Sequence, residues 1–347
     1  MDSRAHLRRL DELEVPELWT DIQMRHPRPQ TEAPIGPLRR LVIVMAALSI
    51  GAAGALLASN ALSDGGTDIG PRQPELSGNG RFALERDGDI VLVEPHTGDL
   101  ANITQTRNIY EFQPAWSPNG QEIVFVGCRE CTEPDLYIMN ADGSERRQIT
   151  SGPDAELNPR WSPDGRMIVF QRGTADAATL WTLTLATGHE VELPRFAPYG
   201  FSGVPSWSPD GSAIVFEVSD SFESRIAVMR ADGSGQRLLT GDSVHASSPA
   251  WSPDGTLIAF GVMDDRGHTS LFTMSPSGTG VRKIAQGGSF AWAPDARSIA
   301  ILRGADGDAG ESVVVTVARD GTEEREIATF TPSGDGYVKS LAWQPLP

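Results

Sequence analysis

Few side chains in this 347-residue chain stand where chemistry would need them. Beyond residue 78 the histidines are His96, His189, His245 and His268. They are far apart and show neither the HExxH pattern nor the paired spacing that a zinc site requires. Ser202 in Gly200-Phe201-Ser202-Gly203-Val204 approaches a nucleophile elbow but lacks the glycine that closes one. Gly304-Ala305-Asp306-Gly307-Asp308 lacks the DxDxDG order and closing glutamate of a calcium loop, so it reads as an acidic turn. Cys128 and Cys131 form CxxC, and two cysteines alone cannot hold zinc. In an oxidising compartment they would close a local disulfide. These patterns predict no catalytic residue, no metal and no cofactor. They do point to binding. A set of polar residues precedes a recurring tryptophan, in the segments EFQP, ELNP, SGVP, HASSP, GGSF and VKSL. Gln113, Asn158, Ser248, Ser289 and Ser340, with Glu111 and Glu156 close by, are the candidate ligand contacts, suited to a peptide or a small polar ligand.

The elements that must position those residues repeat. Trp116, Trp161, Trp207, Trp251, Trp292 and Trp343 are 41 to 51 residues apart. The first five stand in WSPNG, WSPDG, WSPDG, WSPDG and WAPDA, and the last in WQPLP. Each pentad precedes a short apolar run, such as EIVFVG or AIVFEV, then a second run, such as DLYIMN or RIAVMR, and then a third. Gly, Pro, Asp or Ser bounds each run, and β-branched residues favour strands. One unit is therefore four strands. Before the first pentad, RFALER, DIVLVE and LANIT supply the later strands of a unit that lacks its first, and the C-terminal LAWQP is a first strand without followers. The two fragments complete each other. The predicted fold is all-β: a six-bladed β-propeller of four-stranded blades, closed by the C-terminal strand, which removes the exposed sheet edges. In the pentad, tryptophan would plug the gap between blades. Asp164, Asp210, Asp254 and Asp295 would hold their own turns, because a feature recurring in every blade suits structure better than catalysis.

The units resemble the TolB-like six-bladed propellers, whose WD40-like repeat reads "WSPDG…IYVMNADGS…LT". Residues 114–150 carry it nearly complete, as PAWSPNG followed by DLYIMNADGSERRQIT. The resemblance covers about residues 78–347. It implies a scaffold that binds proteins or other ligands outside the cytoplasm. Two departures stand out: ATGHE at 186–190 replaces the DGS turn, and Ala296 replaces a pentad glycine. The small helical domain that precedes the TolB propeller has no counterpart, and an apolar segment stands in its place.

That segment, residues 41–62, reads LVIVMAALSIGAAGALLASNAL and holds no charge. A helix of this length spans roughly 33 Å, enough for a bilayer core. Arg39 and Arg40 precede it, while Asp64 and Asp68 follow, so the N-terminus is expected inside and the propeller outside. Its length and the 40 residues before it favour an anchor over a cleaved signal, although Ser59-Asn60-Ala61 offers small residues for cleavage. The predicted organisation is a cytoplasmic tail with short helices and a Pro-rich linker (1–40), a transmembrane helix (41–62), a linker (63–77) and the propeller (78–347). The tail sequence VPELWTDIQMR, followed by a Pro-rich linker, resembles the short tails of membrane-bound regulators such as anti-sigma factors. That resemblance implies a cytoplasmic regulatory partner.

Formal charge is −17, and only two of the 29 basic residues are lysine, Lys283 and Lys339. Such a surface excludes general nucleic-acid binding. The expected protein is bacterial: a membrane-anchored propeller binding a protein, peptide or envelope ligand. The alternatives are a hydrolase or lyase working in the propeller channel, and a passive envelope scaffold.

Overall fold

The computed structural model describes residues 80–95, 97–106, 108–129, 133–173, 178–220, 223–241, 244–304, 312–330 and 340–345. The anchor and tail expected at 1–62, together with His96, Cys131 and Asp306, lie outside the described residues. Among the described residues no helix is long and apolar enough to cross a membrane.

Twenty-four strands follow one another: β1 (Phe82–Arg86), β2 (Asp89–Val93), β3 (Leu100–Asn102), β4 (Ile109–Trp116), β5 (Glu122–Arg129), β6 (Asp135–Asn140), β7 (Arg147–Gln148), β8 (Glu156–Trp161), β9 (Met167–Arg172), β10 (Thr179–Thr184), β11 (His189–Glu192), β12 (Gly200–Trp207), β13 (Ala213–Ser219), β14 (Ser224–Arg230), β15 (Arg237–Leu238), β16 (Ala246–Trp251), β17 (Ile258–Met263), β18 (Thr269–Met274), β19 (Arg282–Gln286), β20 (Ser289–Trp292), β21 (Ser298–Arg303), β22 (Ser312–Ala318), β23 (Arg325–Phe330) and β24 (Leu341–Trp343). They form six antiparallel four-stranded sheets. Blades 2 to 6 are β4–β7, β8–β11, β12–β15, β16–β19 and β20–β23, while blade 1 has the order β24-β1-β2-β3. The six-bladed ring predicted from the tryptophan spacing is therefore present, and the C-terminal strand closes it.

Closure rests on specific bonds. Phe82 pairs with Trp343 and Leu84 with Leu341 in antiparallel register. The Gln344 N–H donates to the Arg81 carbonyl at 2.9 Å, and the Arg81 N–H donates to Gln344 Oε1 at 3.0 Å. Gln344 Nε2 donates to the Gly120 carbonyl at 2.8 Å, tying the closing strand to the first turn of blade 2. The rings of Phe82 and Trp343 lie 4.6 Å apart.

The core is distributed among the seams between blades. Trp161 of blade 3 packs with Ala115, Val124 and Val126 of blade 2, and Trp343 packs in the seam with blade 6 beside Ala300 and Val314. Trp116, Trp161, Trp292 and Trp343 are buried, while Trp207 and Trp251 are partly open. Each pentad shapes the turn behind its tryptophan. The Ser162 hydroxyl donates to Asp164 Oδ1 at 2.6 Å, the Arg166 N–H donates to the same oxygen at 3.1 Å, and the Met167 N–H donates to Ser162 Oγ at 2.9 Å. Asp210 and Asp254 repeat this pattern with Ser208 and Ser252. Asp295 keeps only the bond from the Arg297 N–H, because Ala293 stands where the serine would be. Hydrogen bonds to the carboxylates hold Asp164 and Asp210 below the ordinary aspartate range, Asp210 at about 2. The turn glycines also pack around the ring: a Cβ on Gly165 would sit 3.9 Å from Pro118, and one on Gly211 would sit 3.6 Å from Pro163.

Candidate functional site

The innermost strand of each blade lines the central channel, so its departures from a regular ladder decide what the channel presents. Two residues before each tryptophan the sequence has Pro114, Pro159, Pro205, Pro249, Phe290 and Leu341. Proline brings no N–H to a ladder, so it is tolerated where the pairing is interrupted. All four proline strands carry a register shift: β4 between Phe112 and Ala115, β8 between Leu157 and Arg160, β12 between Ser202 and Ser206, and β16 between Ser247 and Ala250. The strands with Phe290 and Leu341 pair regularly.

At each bulge one residue takes a left-handed backbone: Gln113 (φ +53°), Asn158 (+57°), Gly203 (+75°) and Ser248 (+52°). For residues with a side chain this conformation costs roughly 1–2 kcal/mol. Three of the residues expected at the channel therefore occupy one structural role. Ser289 opens the unbulged β20, Ser340 directly precedes the unbulged β24, and neither shares it. The Ser340 hydroxyl oxygen is buried and has no hydrogen-bond partner among the described residues.

The bulges are joined across seams. The Asn158 N–H donates to Gln113 Oε1 at 2.7 Å, and Asn158 Nδ2 donates to the Gly203 carbonyl at 2.8 Å and to Gln171 Oε1 at 3.0 Å. The Ser248 N–H donates to Glu217 Oε2 at 3.1 Å, while the Ser202 hydroxyl donates to Glu217 Oε1 at 3.0 Å. A Cβ on Gly203 would meet Glu217 Oε2 at 2.4 Å, so a side chain there would force the carboxylate to shift. A polar chain thus runs through blades 2 to 5. Burial pushes the Glu217 carboxyl above the usual glutamate range, against the opposing pull of the Ser248 N–H and Ser202 hydroxyl. Among the described residues no basic side chain pairs with it. Glu217 is a part of this site that sequence reading missed. It lies on the second strand of its blade, outside the segments that precede each tryptophan.

Glu111 and Glu156, expected close to the channel mouth, lie fully buried under arginines. Arg146 Nη1 donates to Glu111 Oε1 and to Thr106 Oγ1, and its guanidinium lies about 5 Å from the ring centres of Phe125 and Tyr137. Arg172 bonds Glu156 on β8 and Glu190 on β11, and it stacks 4.4 Å from the Trp181 ring centre. Burial raises the Glu156 carboxyl, opposed by its bonds from Thr150 and Arg172. These pairs brace two blades internally. Their positions leave neither carboxylate open to solvent.

Cys128 is buried on β5. No group of three or more His, Cys, Asp or Glu that could hold a metal occurs among the described residues.

Comparison with known proteins bears on this architecture. A family model described as the TolB beta propeller domain matches residues 82–193 and 174–335. No curated protein matches the chain in sequence. Among solved structures, it is similar to TolB from Acinetobacter baumannii, at 18% identity and a TM-score of 0.65 over 78% of this chain and 68% of that one. A structure described as TolB from Agrobacterium tumefaciens matches at 19% identity and 0.59, over 78% of this chain and 100% of that one. Oligogalacturonate lyase from Vibrio parahaemolyticus matches at 16% identity and 0.51, over 74% and 75%. At such identities these likenesses show the fold alone.

Proposed function

The chain belongs to the TolB beta propeller family, and on that premise we propose that it is a single-pass membrane protein whose propeller binds a protein, peptide or envelope ligand outside the cytoplasm. The propeller fold supports a binding or scaffold role. The channel arc of blades 2 to 5 is the surface that would make the contact, with Gln113, Asn158 and Ser248 as its polar residues. Residues 41–62 would anchor it, and residues 1–40 would face the cytoplasm and carry the signal to a regulatory partner.

One observation carries the reading: three non-glycine residues at the same position in the inner strands of blades 2, 3 and 5 hold left-handed backbones. Local strain that recurs in one ring-shaped region is an observation from which function is properly inferred. The uncharged run and its Arg39-Arg40 flank support the anchor and its orientation. The pairing of Cys128 with Cys131 belongs to the same proposal, since an oxidising side would favour the disulfide.

The test uses the full chain in bacterial membranes. A photo-crosslinking residue at Gln113 or Ser248 should give an adduct of one mass that is absent when the same residue replaces Val191 on an outer strand. The protein should resist carbonate extraction, and its propeller should be cut by protease added outside the inner membrane. Turnover of a polysaccharide or peptide substrate that vanishes on Glu217→Gln would replace binding with catalysis. Full release by carbonate would remove the anchor.

A further inference from the structure

The residue immediately before each tryptophan reads Ala115, Arg160, Ser206, Ala250, Ala291 and Ala342. This position faces the next blade: Ala115 packs with Trp161, Ala291 beside Trp343, and Ala342 with Trp116. A small residue fits beneath the neighbouring indole. In two seams the indole N–H also donates to the carbonyl of that small residue, Trp161 to Ala115 at 3.2 Å and Trp292 to Ala250 at 3.1 Å. Blade 3 instead places an arginine there. At the seam it faces, Trp207 is only partly buried, as Trp251 is, and among the described residues its indole nitrogen lacks a partner, as do those of Trp116, Trp251 and Trp343. The outer part of the same seam holds a cavity of about 30 Å³ lined by Leu180, Tyr199, Phe201 and Phe216 among others.

Arg160, which is half-buried, also differs from Arg146, Arg172 and Arg225 in its partners. Arg146 holds Glu111, Arg172 holds Glu156 and Glu190, and Arg225 holds Asp220 and Glu223. Arg160 Nη1 donates to the Pro159 carbonyl at 2.7 Å, and among the described residues it meets no carboxylate. Burial lowers its pKa to about 10, which leaves it charged at neutral pH. It is enclosed by protein, yet part of its surface stays open to water. It stands on β8, an innermost strand. An uncompensated buried charge is costly, and a bidentate carboxylate is the partner that best fits a guanidinium fork.

We infer that Arg160 is an anion-binding residue of the channel and that it takes a carboxylate of the ligand, such as the free C-terminus of a peptide. This deepens the channel-binding reading and rests on it. The acidic surface does not oppose it, because charges beyond about 8–10 Å are screened at physiological salt while a guanidinium in a protein-lined channel is not.

The experiment is calorimetric titration of the purified full chain with N-acetylglycine, with N-acetylglycinamide and with inorganic phosphate. N-acetylglycine should bind saturably and the amide should not. Arg160→Ala should weaken binding about tenfold or more, the loss expected when a hydrogen bond to a charged group is removed. Because alanine fills this position in four other blades, Arg160→Ala should melt at or above the wild-type temperature. A lower melting temperature with unchanged binding would make Arg160 a structural residue and overturn the inference. So would silence toward N-acetylglycine, or tight phosphate binding with none of the carboxylate. If crosslinks form at Gln113 while the titrations are silent, the carboxylate reading falls and the channel reading stands.

Discussion

The ring has two kinds of arc. In blades 2 to 5 the inner strands are interrupted by a bulge, left-handed residues and polar bonds that cross seams. In blades 6 and 1 the inner strands pair without interruption, and Phe290 and Leu341 pack into the seams. The difference follows from one residue type at one position. Where proline removes a ladder donor, the strand bulges and turns a polar residue toward its neighbour. Where an apolar residue stands there, the ladder and the core continue. The regular arc contains the closure of the ring; the bulged arc contains the candidate site.

Five experiments probe this contrast. Trp343→Ala removes the indole that seals the ring and should cost about 3–5 kcal/mol in urea denaturation, as for large aromatic truncations. A loss below that of Trp161→Ala would show that closure is no more critical than any seam. Phe290→Pro imposes the bulged arc's residue on the regular arc without its bulge. It should cost roughly 2–4 kcal/mol through the lost donor and lost packing. Tolerance of Phe290→Pro would mean that proline does not decide where bulges form. Gly203→Ala should cost about 2 kcal/mol, since the new Cβ has both an unfavourable φ and a contact with Glu217. Gly188→Ala, with a similar φ and open space around it, should cost only about half as much.

The fourth test is acid denaturation. Hydrogen bonds depress the Asp210 carboxyl to about 2 in the folded protein, well below the 3.8 of an ordinary aspartate. The stability it contributes is fully present above pH 4 and disappears as pH falls toward 2. Asp210→Asn should therefore flatten the acid limb of the stability curve in that window. Glu217 has the opposite sign, because its raised carboxyl makes folding lose stability as pH rises past the ordinary glutamate value. Glu217→Gln should remove that loss, which thermal melts at pH 4 and pH 7 would resolve. The smallest effect is at Ala296, which holds φ +60° where the other pentads have glycine. Ala296→Gly should raise stability by no more than about 1 kcal/mol, since relief of backbone strain is partly offset by loss of a buried methyl.

The tryptophan spacing made blade number and closure legible, because each indole must seal a gap and an unpaired LAWQP needs RFALER. The Asx turns were legible for the same reason: their bonds are local, within five residues. Glu111 was read as a channel residue because its partner cannot be seen locally. Arg146 lies 35 residues downstream and reaches it across the face of the blade. Glu156 and Arg172 are direct cross-strand neighbours, a pairing that required the register. The bulges had a visible signal in the prolines two residues before four tryptophans. Arg160 had one too, as the sole large side chain at a position otherwise held by alanine or serine.

The bond between Arg81 and Gln344 joins residues 263 positions apart. During synthesis, the free edge of β1 must therefore wait while five complete sheets emerge. Loop-closure cost grows only slowly with such a length, so the delay is one of timing more than of free energy. A chain interrupted anywhere before Leu341 would leave that edge without its partner, a template for pairing with other chains.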